Sequence, residues 1–282
     1  MSSKPLEGNC PDLRRSKEID RLHNQHKLVK SAFGGLILCP VDLSSPNVRI
    51  LDSATADGYF LYDLRSQLVH PNAAELIGTD IADYPDMLGL PKNITLYKQN
   101  IFEDWPEDWE GTFDFVHQRA CMANAPTFDG GVKVMERLIK LLKPGGWIQI
   151  VDGAMPTDAI AESDAASLKI FKTIGAFLQG IRLNPKPGKQ IFEMLGKGGV
   201  LEAIGRRNIA AKLGKGALSK DLENTGYKEL EGLVEAVAPS LDEIPNPPMT
   251  TAEFRELLPL ALEEARTKGV EMDWYAAWGQ RT

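Results

Sequence analysis

Two stretches decide the fold: Arg49-Ile-Leu-Asp-Ser-Ala-Thr-Ala-Asp-Gly-Tyr-Phe60 and Leu141-Leu-Lys-Pro-Gly-Gly-Trp-Ile-Gln-Ile-Val-Asp152. The first predicts a buried strand, a turn of small residues and the start of a helix. The second predicts the end of a helix, a Pro-Gly-Gly turn and another apolar strand. Between them, Leu76-Ile-Gly-Thr-Asp80 predicts a strand that ends in a carboxylate. A small-residue turn after one strand and an acid at the end of the next are typical of an open parallel sheet that binds a nucleoside.

Strand and helix patterns alternate around these stretches. The predicted strands are Val48–Leu51, Leu76–Thr79, Ile94–Lys98, Phe113–His117 and Trp147–Val151, and the predicted helices between them are Tyr59–Val69 and Val132–Leu142. Such alternation predicts a parallel sheet with right-handed crossovers. Upstream, apolar residues at spacings of three and four predict a helix from Ser16 to the Gly34-Gly35 pair.

After Pro156 the pattern changes to a mainly helical one. The predicted elements are helices at Ala159–Ile181, Gln190–Leu195, Lys220–Thr225 and Thr251–Lys268, strands at Leu230–Val237 and Met272–Trp278, and a mobile segment at Ala203–Lys215. Thr250 or Thr251 is expected to cap the helix that contains Glu253. We therefore divide the chain into an N-terminal segment with a capping helix (1–47), a nucleoside-binding core (48–156), and a helical lid that also carries the last strands (157–282).

Composition narrows the class of function. The chain has 282 residues, 43% of them hydrophobic and 25% charged, and a net charge of −7. The negative charge makes nucleic acid a poor partner, and no apolar run reaches the ~18 residues of a membrane span. The N-terminus lacks the apolar core of a signal peptide. Three cysteines without a pairing pattern indicate a reducing, cytoplasmic environment, and the histidines and acids lack metal-ligand spacing.

The predicted ligand edge of the sheet carries polar groups at the strand ends. Asp52 ends the first strand, where it either caps the following turn or contacts a ligand ammonium group. Asp80 ends the second strand, where a carboxylate accepts both ribose hydroxyls or lies at the surface. Asn100, Ile101 and Phe102 follow the third strand and form a candidate adenine slot. The absence of a Gly-x-Gly-x-x-Gly motif and the presence of Asp57 in the turn disfavour a dinucleotide.

The fourth strand leads into His117-Gln118-Arg119 at the same edge. His117 is a candidate general base, with pocket lining and structural packing as alternatives. Arg119 either holds a ligand carboxylate or ties the following loop to an acid.

These motifs stand in the order and spacing of class I S-adenosylmethionine-dependent methyltransferases, which the chain resembles. They are Asp52-Ser-Ala-Thr-Ala-Asp-Gly58, Asp80, Asn100, Phe113-Asp-Phe-Val-His-Gln-Arg119 and Lys143-Pro-Gly-Gly-Trp147. Arg21-Leu-His-Asn-Gln25-His26 and Gly34-Gly35-Leu-Ile-Leu-Cys-Pro40 resemble a narrower group, the filamentous-fungal methyltransferases of secondary metabolism, which includes thiomethyltransferases of the gliotoxin type. The resemblance covers about residues 16–156, with a weaker tail through Trp278.

The resemblance implies an α/β fold of Rossmann-like type: a mostly parallel seven-stranded sheet with helices on both faces, an N-terminal helix and a helical lid. It implies S-adenosylmethionine as cofactor, with S-adenosylhomocysteine as product. The implied cofactor-binding residues are Gln25, Asp52, Ala54, Gly58, Asp80, Ile81, Asn100, Ile101, Phe102, His117 and Gln118. The implied lining of a substrate pocket is His26, Arg119, Phe171, Ile174 and Phe177. His117 is the candidate catalytic residue, although a thiol acceptor needs no dedicated base.

The turn after the first strand departs from the family pattern. Two of its three usual glycines are Ala54 and Ala56, and only Gly58 remains. An alanine costs about 1 kcal/mol or more where φ must be positive, so this turn bears directly on cofactor affinity.

Three functions remain open on this evidence. The first is methylation of a small, apolar fungal metabolite at oxygen, sulfur or nitrogen, with S- or O-methylation favoured and a dithiol such as reduced gliotoxin as one candidate. The second is a regulatory relative that acts through protein partners. The third is a pseudoenzyme that has lost the cofactor through Ala54 and Ala56.

Overall fold

A computed structural model describes residues 11–82 and 89–282. The strands are β1 (Arg49–Ser53), β2 (Glu75–Asp80), β3 (Ile94–Lys98), β4 (Phe113–Arg119), β5 (Leu142–Gly153), β6 (Leu201–Leu213) and β7 (Val270–Arg281). The helices are α1 (Pro11–Phe33), α2 (Tyr59–Arg65), α3 (Phe128–Leu141), α4 (Ala166–Gly180), α5 (Ile191–Lys197), α6 (Lys220–Val237) and α7 (Thr251–Thr267). Short 3₁₀ turns lie at Glu107–Trp109, Met122–Asn124, Pro187–Lys189 and Ala238–Glu243.

The strands form one sheet of seven in the order β3-β2-β1-β4-β5-β7-β6. Neighbours among β1 to β5 pair in parallel, whereas β7 runs antiparallel to both β5 and β6. The strand order reverses between β1 and β4, which is where open α/β sheets bind their ligands. The predicted mostly parallel, seven-stranded sheet is confirmed.

Alternation along the central strands fills both faces of the sheet. Ile50 and Phe115 are fully buried in the core cluster that contains α2, whereas Leu51 and Val116 face the cluster built with α3 and α5. Because successive side chains of a strand point to opposite faces, strands that are buried on both sides read as continuous apolar runs. Helices therefore cover both faces, as the sequence predicted.

The C-terminal half joins the sheet and adds a third core cluster. In this cluster α1, α4, α6 and α7 pack together with β6 and β7. Thr250 caps α7 by accepting the backbone N–H of Glu253, and the Glu253 side chain accepts the N–H of Thr250. This reciprocal pair is a capping box, and it decides between the two predicted caps in favour of Thr250.

Two of the predicted elements in this half are wrong. The supposed mobile segment Ala203–Lys215 lies mostly in β6, which pairs along β7 at the edge of the sheet. The paired residues lie between 57 (Leu213 and Val270) and 80 (Leu201 and Arg281) positions apart in sequence, so local composition does not reveal the pairing. The supposed strand Leu230–Val237 is the second half of α6. Its apolar residues are Leu230, Leu233, Val234 and Val237, a spacing of three and four that is helical. Helix α4 also begins later than predicted, at Ala166.

No helix in the described part of the chain is long and apolar enough to cross a membrane. Within residues 11–82 and 89–282, no cluster of histidine, cysteine and acidic side chains has the arrangement of a metal site.

Candidate active site

A cavity of about 410 Å³ lies at the carboxyl ends of β3, β2, β1 and β4. Helix α1 covers it, so the cavity lies between the sheet edge and the N-terminal helix. Six α1 residues line it: Glu18, Arg21, Leu22, His23, Gln25 and His26. Every described lining residue falls between Glu18 and Asn124. The 157–282 segment therefore contributes no described wall to this cavity.

Strand register explains why Asp52 and His117 meet. They are opposite each other on the parallel pair β1–β4, and their side chains share the α2 face of the sheet. His117 Nδ1 lies 2.7 Å from Asp52 Oδ1, and the ring stacks on Phe60 with centroids 3.7 Å apart. Burial lowers the pKa of His117, although its bond to Asp52 opposes this shift. A neutral ring that donates Nδ1–H to the carboxylate leaves the Nε2 lone pair available to a proton.

Three residues of the β1–α2 turn lie in the left-handed region of φ. Ala54 and Ala56 have φ of 57° and 54°, and Gly58 has φ of 86°. The turn packs closely on β2, because a Cβ on Gly78 would lie 2.6 Å from a methyl of Thr55. Thr55 also donates its hydroxyl to Asp52 Oδ2 at 2.6 Å. The two alanines therefore occupy positions whose conformation favours glycine.

Asp80 ends β2 beside this turn. One of its carboxylate oxygens accepts the backbone N–H of Ala56 at 3.0 Å, and the other accepts that of Ala82 at the same distance. A carboxylate has about four acceptor positions, so Asp80 retains capacity for two further donors. Its exposure to the cavity makes those positions available to a ligand.

The end of β3 provides an apolar slot beside Asp80. Ile101 is buried, whereas Ile81 and Phe102 are exposed at 60% and 42%. Asn100 accepts the backbone N–H of Phe102 at 3.1 Å, which fixes the amide in the turn. All four residues, which the sequence assigns to cofactor binding, line the cavity. The slot combines apolar surfaces with one amide, which suits the flat ring of a nucleobase.

A chain of hydrogen bonds joins α1 to the end of β4. His26 Nε2 lies 2.8 Å from Asp63, and Arg119 Nη2 lies 3.0 Å from His26 Nδ1. Burial, reinforced by Arg119, lowers the pKa of His26 to about 3. The ring is therefore neutral, with Nε2–H donating to Asp63 and Nδ1 accepting from Arg119. Burial opposes ionisation of Asp63, but hydrogen bonds from Lys30 and His26 outweigh it and lower the pKa of the carboxyl.

Several lining residues were not predicted from the sequence. His23 bonds to Asp57 Oδ2 at 2.7 Å and stacks on Tyr59 with centroids 4.0 Å apart. This pair ties α1 to the β1–α2 turn and gives Asp57 a structural partner. Arg21 bonds Glu18 with two nitrogens, at 2.9 and 2.6 Å. The α1 residues that line the cavity recur at helical spacing, at positions 18, 21, 22, 25 and 26. This spacing identifies one face of α1 but does not show what that face covers.

Arg21 also connects the cavity wall to α6. Its Nη1 lies 3.5 Å from Glu229, which is fully buried. Its stem packs on Gly232, where a Cβ would come within 2.7 Å of Arg21 Cγ. Burial raises the pKa of Glu229 to about 7, with Arg21 opposing the shift.

The loop after β4 is held by a second buried acid. Asp152 accepts the backbone N–H groups of Met122 and Gly153, both at 2.9 Å. Burial raises its pKa to about 7. These bonds position Ala120, Cys121 and Asn124, which line the cavity.

The structure does not bring every predicted site residue to the cavity. Gln118 points to the opposite face of the sheet from His117 and donates to Ser53 Oγ at 3.0 Å. Gly58 shapes the turn without appearing in the cavity wall. Phe171, Ile174 and Phe177 pack in the core formed with α6 and α7, away from this cavity. Their apolar side chains follow the inward stripe of α4, which explains their burial.

Comparison with known proteins identifies the family. No protein-family model matches the chain. The N-methyltransferase sirN of Leptosphaeria maculans is 32% identical over 262 residues, which is 93% of this chain and 90% of that protein. This chain belongs to the fungal S-adenosylmethionine-dependent methyltransferases. The N-methyltransferase tcpN of Claviceps purpurea is 32% identical over 277 residues, 95% of either chain.

Solved structures show the same fold for this methyltransferase. A Haemonchus contortus phosphoethanolamine N-methyltransferase, solved with S-adenosyl-L-methionine, superposes with a TM-score of 0.51. It is 16% identical, and the match covers 99% of this chain and 62% of the other. The predicted class I methyltransferase fold and family are thus confirmed.

The residues present fit S-adenosylmethionine. Asp80 retains acceptor positions for two hydroxyls, the slot at Ile101 suits an adenine, and the small turn at Ala54 leaves the backbone open to the cavity. Asp52 and His117 lie at the other end, over β1 and β4.

Proposed function

We propose that this methyltransferase transfers a methyl group from S-adenosylmethionine to a nitrogen atom of a small, mostly apolar fungal metabolite. The observation that carries the proposal is the near full-length similarity to two fungal N-methyltransferases. A third, gliN of Aspergillus fumigatus, is 30% identical over 94% of both chains. Nitrogen therefore takes precedence over the sulfur and oxygen acceptors favoured by the sequence alone.

The cofactor assignment follows the order of the strand ends. Asp80 accepts the ribose hydroxyls, and Ile81, Asn100, Ile101 and Phe102 contact the adenine. Asp52 and the turn at Ala54 hold the methionine half, and Gln25 and His26 close over it from α1. When bound, the cofactor supplies an electrophilic methyl group on a sulfonium. The protein's main contribution is to hold the acceptor atom in line with that group and to exclude water.

His117 is the candidate proton acceptor on the sheet. Its Nδ1–H is committed to Asp52, which fixes the tautomer and stabilises the ring if Nε2 takes a proton. Burial works against that protonation, so the carboxylate bond is necessary for His117 to act as a base. The alternative is a packing role against Phe60.

Replacement of His117 by glutamine separates these roles. A base would lose about 10²-fold or more in methylation rate, whereas a packing residue would lose less than about tenfold and would show a lower melting temperature. Binding of S-adenosylhomocysteine serves as the control for an intact site.

Two measurements test the function itself. Calorimetric titration with S-adenosylmethionine and S-adenosylhomocysteine is expected to show saturable binding of both. Incubation with trideuteriomethyl-labelled cofactor and a panel of fungal metabolites bearing amine, lactam, thiol or phenol groups then identifies the acceptor by mass. Labelling confined to thiols or phenols would contradict the nitrogen assignment.

A further inference from the structure

The cavity contains two guanidinium groups with different surroundings. Arg21 is paired with the Glu18 carboxylate through two hydrogen bonds, and Glu229 lies 3.5 Å away. Among residues 11–82 and 89–282, no carboxylate forms an ion pair with Arg119 within 4 Å, and its described hydrogen bond is the one to neutral His26. Asp52, Asp63 and Glu229 act on this charge only at longer range. A guanidinium has five N–H donors, so Arg119 brings donors without a described partner and a positive charge without a contacting carboxylate to the cavity wall.

This charge is only partly exposed to water, because Arg119 is half-buried. Burial lowers the pKa of Arg119 to about 10, which still leaves it cationic at neutral pH. A poorly solvated cation gains most from a ligand that brings a negative charge, and the guanidinium fork matches a carboxylate with two parallel bonds. Its second contact, at 5.9 Å over the ring of Phe60, supplies only a weak cation–π interaction.

The position of Arg119 indicates which ligand group reaches it. The sheet order places β3 and β2 at one end of the cavity and β1 and β4 at the other. Asp80 and the apolar slot mark the nucleoside end, so the amino-acid half of the cofactor lies over β1 and β4. Arg119 is the last residue of β4, and the amino-acid half carries the cofactor's single carboxylate.

We infer that Arg119 is the subsite for the cofactor carboxylate and that His26 is its positioning residue. This inference rests on the proposed function, because it assumes that S-adenosylmethionine occupies this cavity. His26 accepts from Arg119 through Nδ1 and donates to Asp63 through Nε2. The carboxylate subsite is thereby linked to α1, the helix that covers the cavity.

Ligand truncation tests the assignment on the unmodified protein. Calorimetry compares S-adenosylhomocysteine with its decarboxylated analogue, which keeps the ammonium and the adenosine. The wild-type protein is expected to prefer the carboxylate form by about 10- to 100-fold, the range for a charge-assisted pair. Equal affinity for the two ligands would overturn the assignment while leaving the cofactor site intact. Failure of the wild-type protein to bind either ligand would overturn the proposed function and this inference together.

Variants then assign the preference to Arg119. Arg119→Met is expected to weaken S-adenosylhomocysteine by about 10- to 100-fold and the decarboxylated analogue by less than about threefold. Arg119→Lys keeps the charge without the guanidinium fork, so its preference for the carboxylate form is expected to lie between those of the wild-type protein and Arg119→Met. His26→Phe, which removes the acceptor for Arg119, is expected to reduce the preference for the carboxylate form. His26→Gln keeps an acceptor and is expected to retain more of that preference. Arg206→Met, which removes a guanidinium over Phe192 outside the cavity, serves as the matched control. An equal loss for both ligands in Arg119→Met and Arg119→Lys would show a structural role and overturn the assignment.

Discussion

Ala54 and Ala56 hold a turn conformation that their side chains disfavour. Both have φ near +55°, where a Cβ costs about 1 kcal/mol relative to glycine. Ala54→Gly and Ala56→Gly are therefore expected to raise the free energy of unfolding by about 0.5–1 kcal/mol each, measured by urea denaturation. Ala125, with φ of −91° and no exposed surface, is the matched control, because glycine there should destabilise. A lower free energy of unfolding in both glycine variants would contradict the prediction that the alanines strain this turn.

Asp80 combines a structural and a proposed binding role. It holds the turn by accepting the N–H of Ala56, so replacing Asp80 by alanine would disturb both the turn and the proposed ribose contact. Asp80→Asn keeps an oxygen acceptor but removes the charge, and we expect it to weaken S-adenosylhomocysteine by about 1–3 kcal/mol. Calorimetry measures the change, and Asp114→Asn, at the far end of the sheet beside Lys143, controls for loss of a carboxylate. Unchanged affinity in Asp80→Asn would refute the ribose assignment.

At the scale of elements, α1 is held to α2 by a carboxylate. Asp63 bonds both His26 and Lys30, at 2.8 and 2.7 Å. Asp63→Ala leaves the buried Nε2–H of His26 without an acceptor, which should cost about 1–3 kcal/mol. We expect faster amide exchange in α1 by mass spectrometry, with bound S-adenosylhomocysteine restoring part of the protection.

Asp42→Ala is the control for that prediction. Asp42 bonds Ser44 in an exposed loop away from α1, so α1 should exchange as in the wild-type protein. Equal exchange in the Asp63 and Asp42 variants would mean that α1 is held by its apolar contacts alone.

The elements also show which features local sequence can predict. The β1 turn and the carboxylate at the end of β2 are local signals, and both lie where the sequence predicted. The predicted Pro-Gly-Gly turn before Trp147 lies instead inside β5, where the pairing with β4 shifts register between Phe113 and Phe115. Helix α6 was divided wrongly because its second half is apolar at helical spacing but was interpreted as a strand. Strand β6 was missed because its identity depends on pairing with β7, and its exposed, basic residues carry no alternation of hydrophobic and polar positions.

The same distinction applies to the site. Asp52 and His117 were predicted because each ends a recognisable strand, and parallel register then brings them together. Gln118 was misassigned to the cavity because a shift of one residue along a strand reverses the face. His23 was missed because its partner, Asp57, belongs to another element, and no pattern within α1 identifies the contact.

At the scale of the whole molecule, Glu229 makes stability depend on pH. Burial raises its pKa from 4.5 to about 7, so between these values the folded chain keeps a proton that the unfolded chain releases. Stability from this group is therefore lost as pH rises through that window. Glu229→Gln is neutral throughout, and it should match the wild-type free energy of unfolding near pH 5. Near pH 8 the variant should be more stable, by on the order of 3 kcal/mol at most.

Comparing the wild-type protein with Glu229→Gln isolates the effect of Glu229 on stability, because the other buried groups titrate in both proteins. The pKa of His26 is lowered to about 3, so this group has the opposite effect: it reduces the stability of the protein as pH falls. Arg21 keeps its partner Glu18 in the variant, so no new unpaired cation is created at the cavity wall. Glu231→Gln, an exposed position on the same helix, should track the wild-type protein at both pH values. If Glu229→Gln changed stability equally at pH 5 and pH 8, Glu229 would be ionised in the folded protein across this range, and its contact with Arg21 would be a true ion pair linking α6 to the helix that covers the active site.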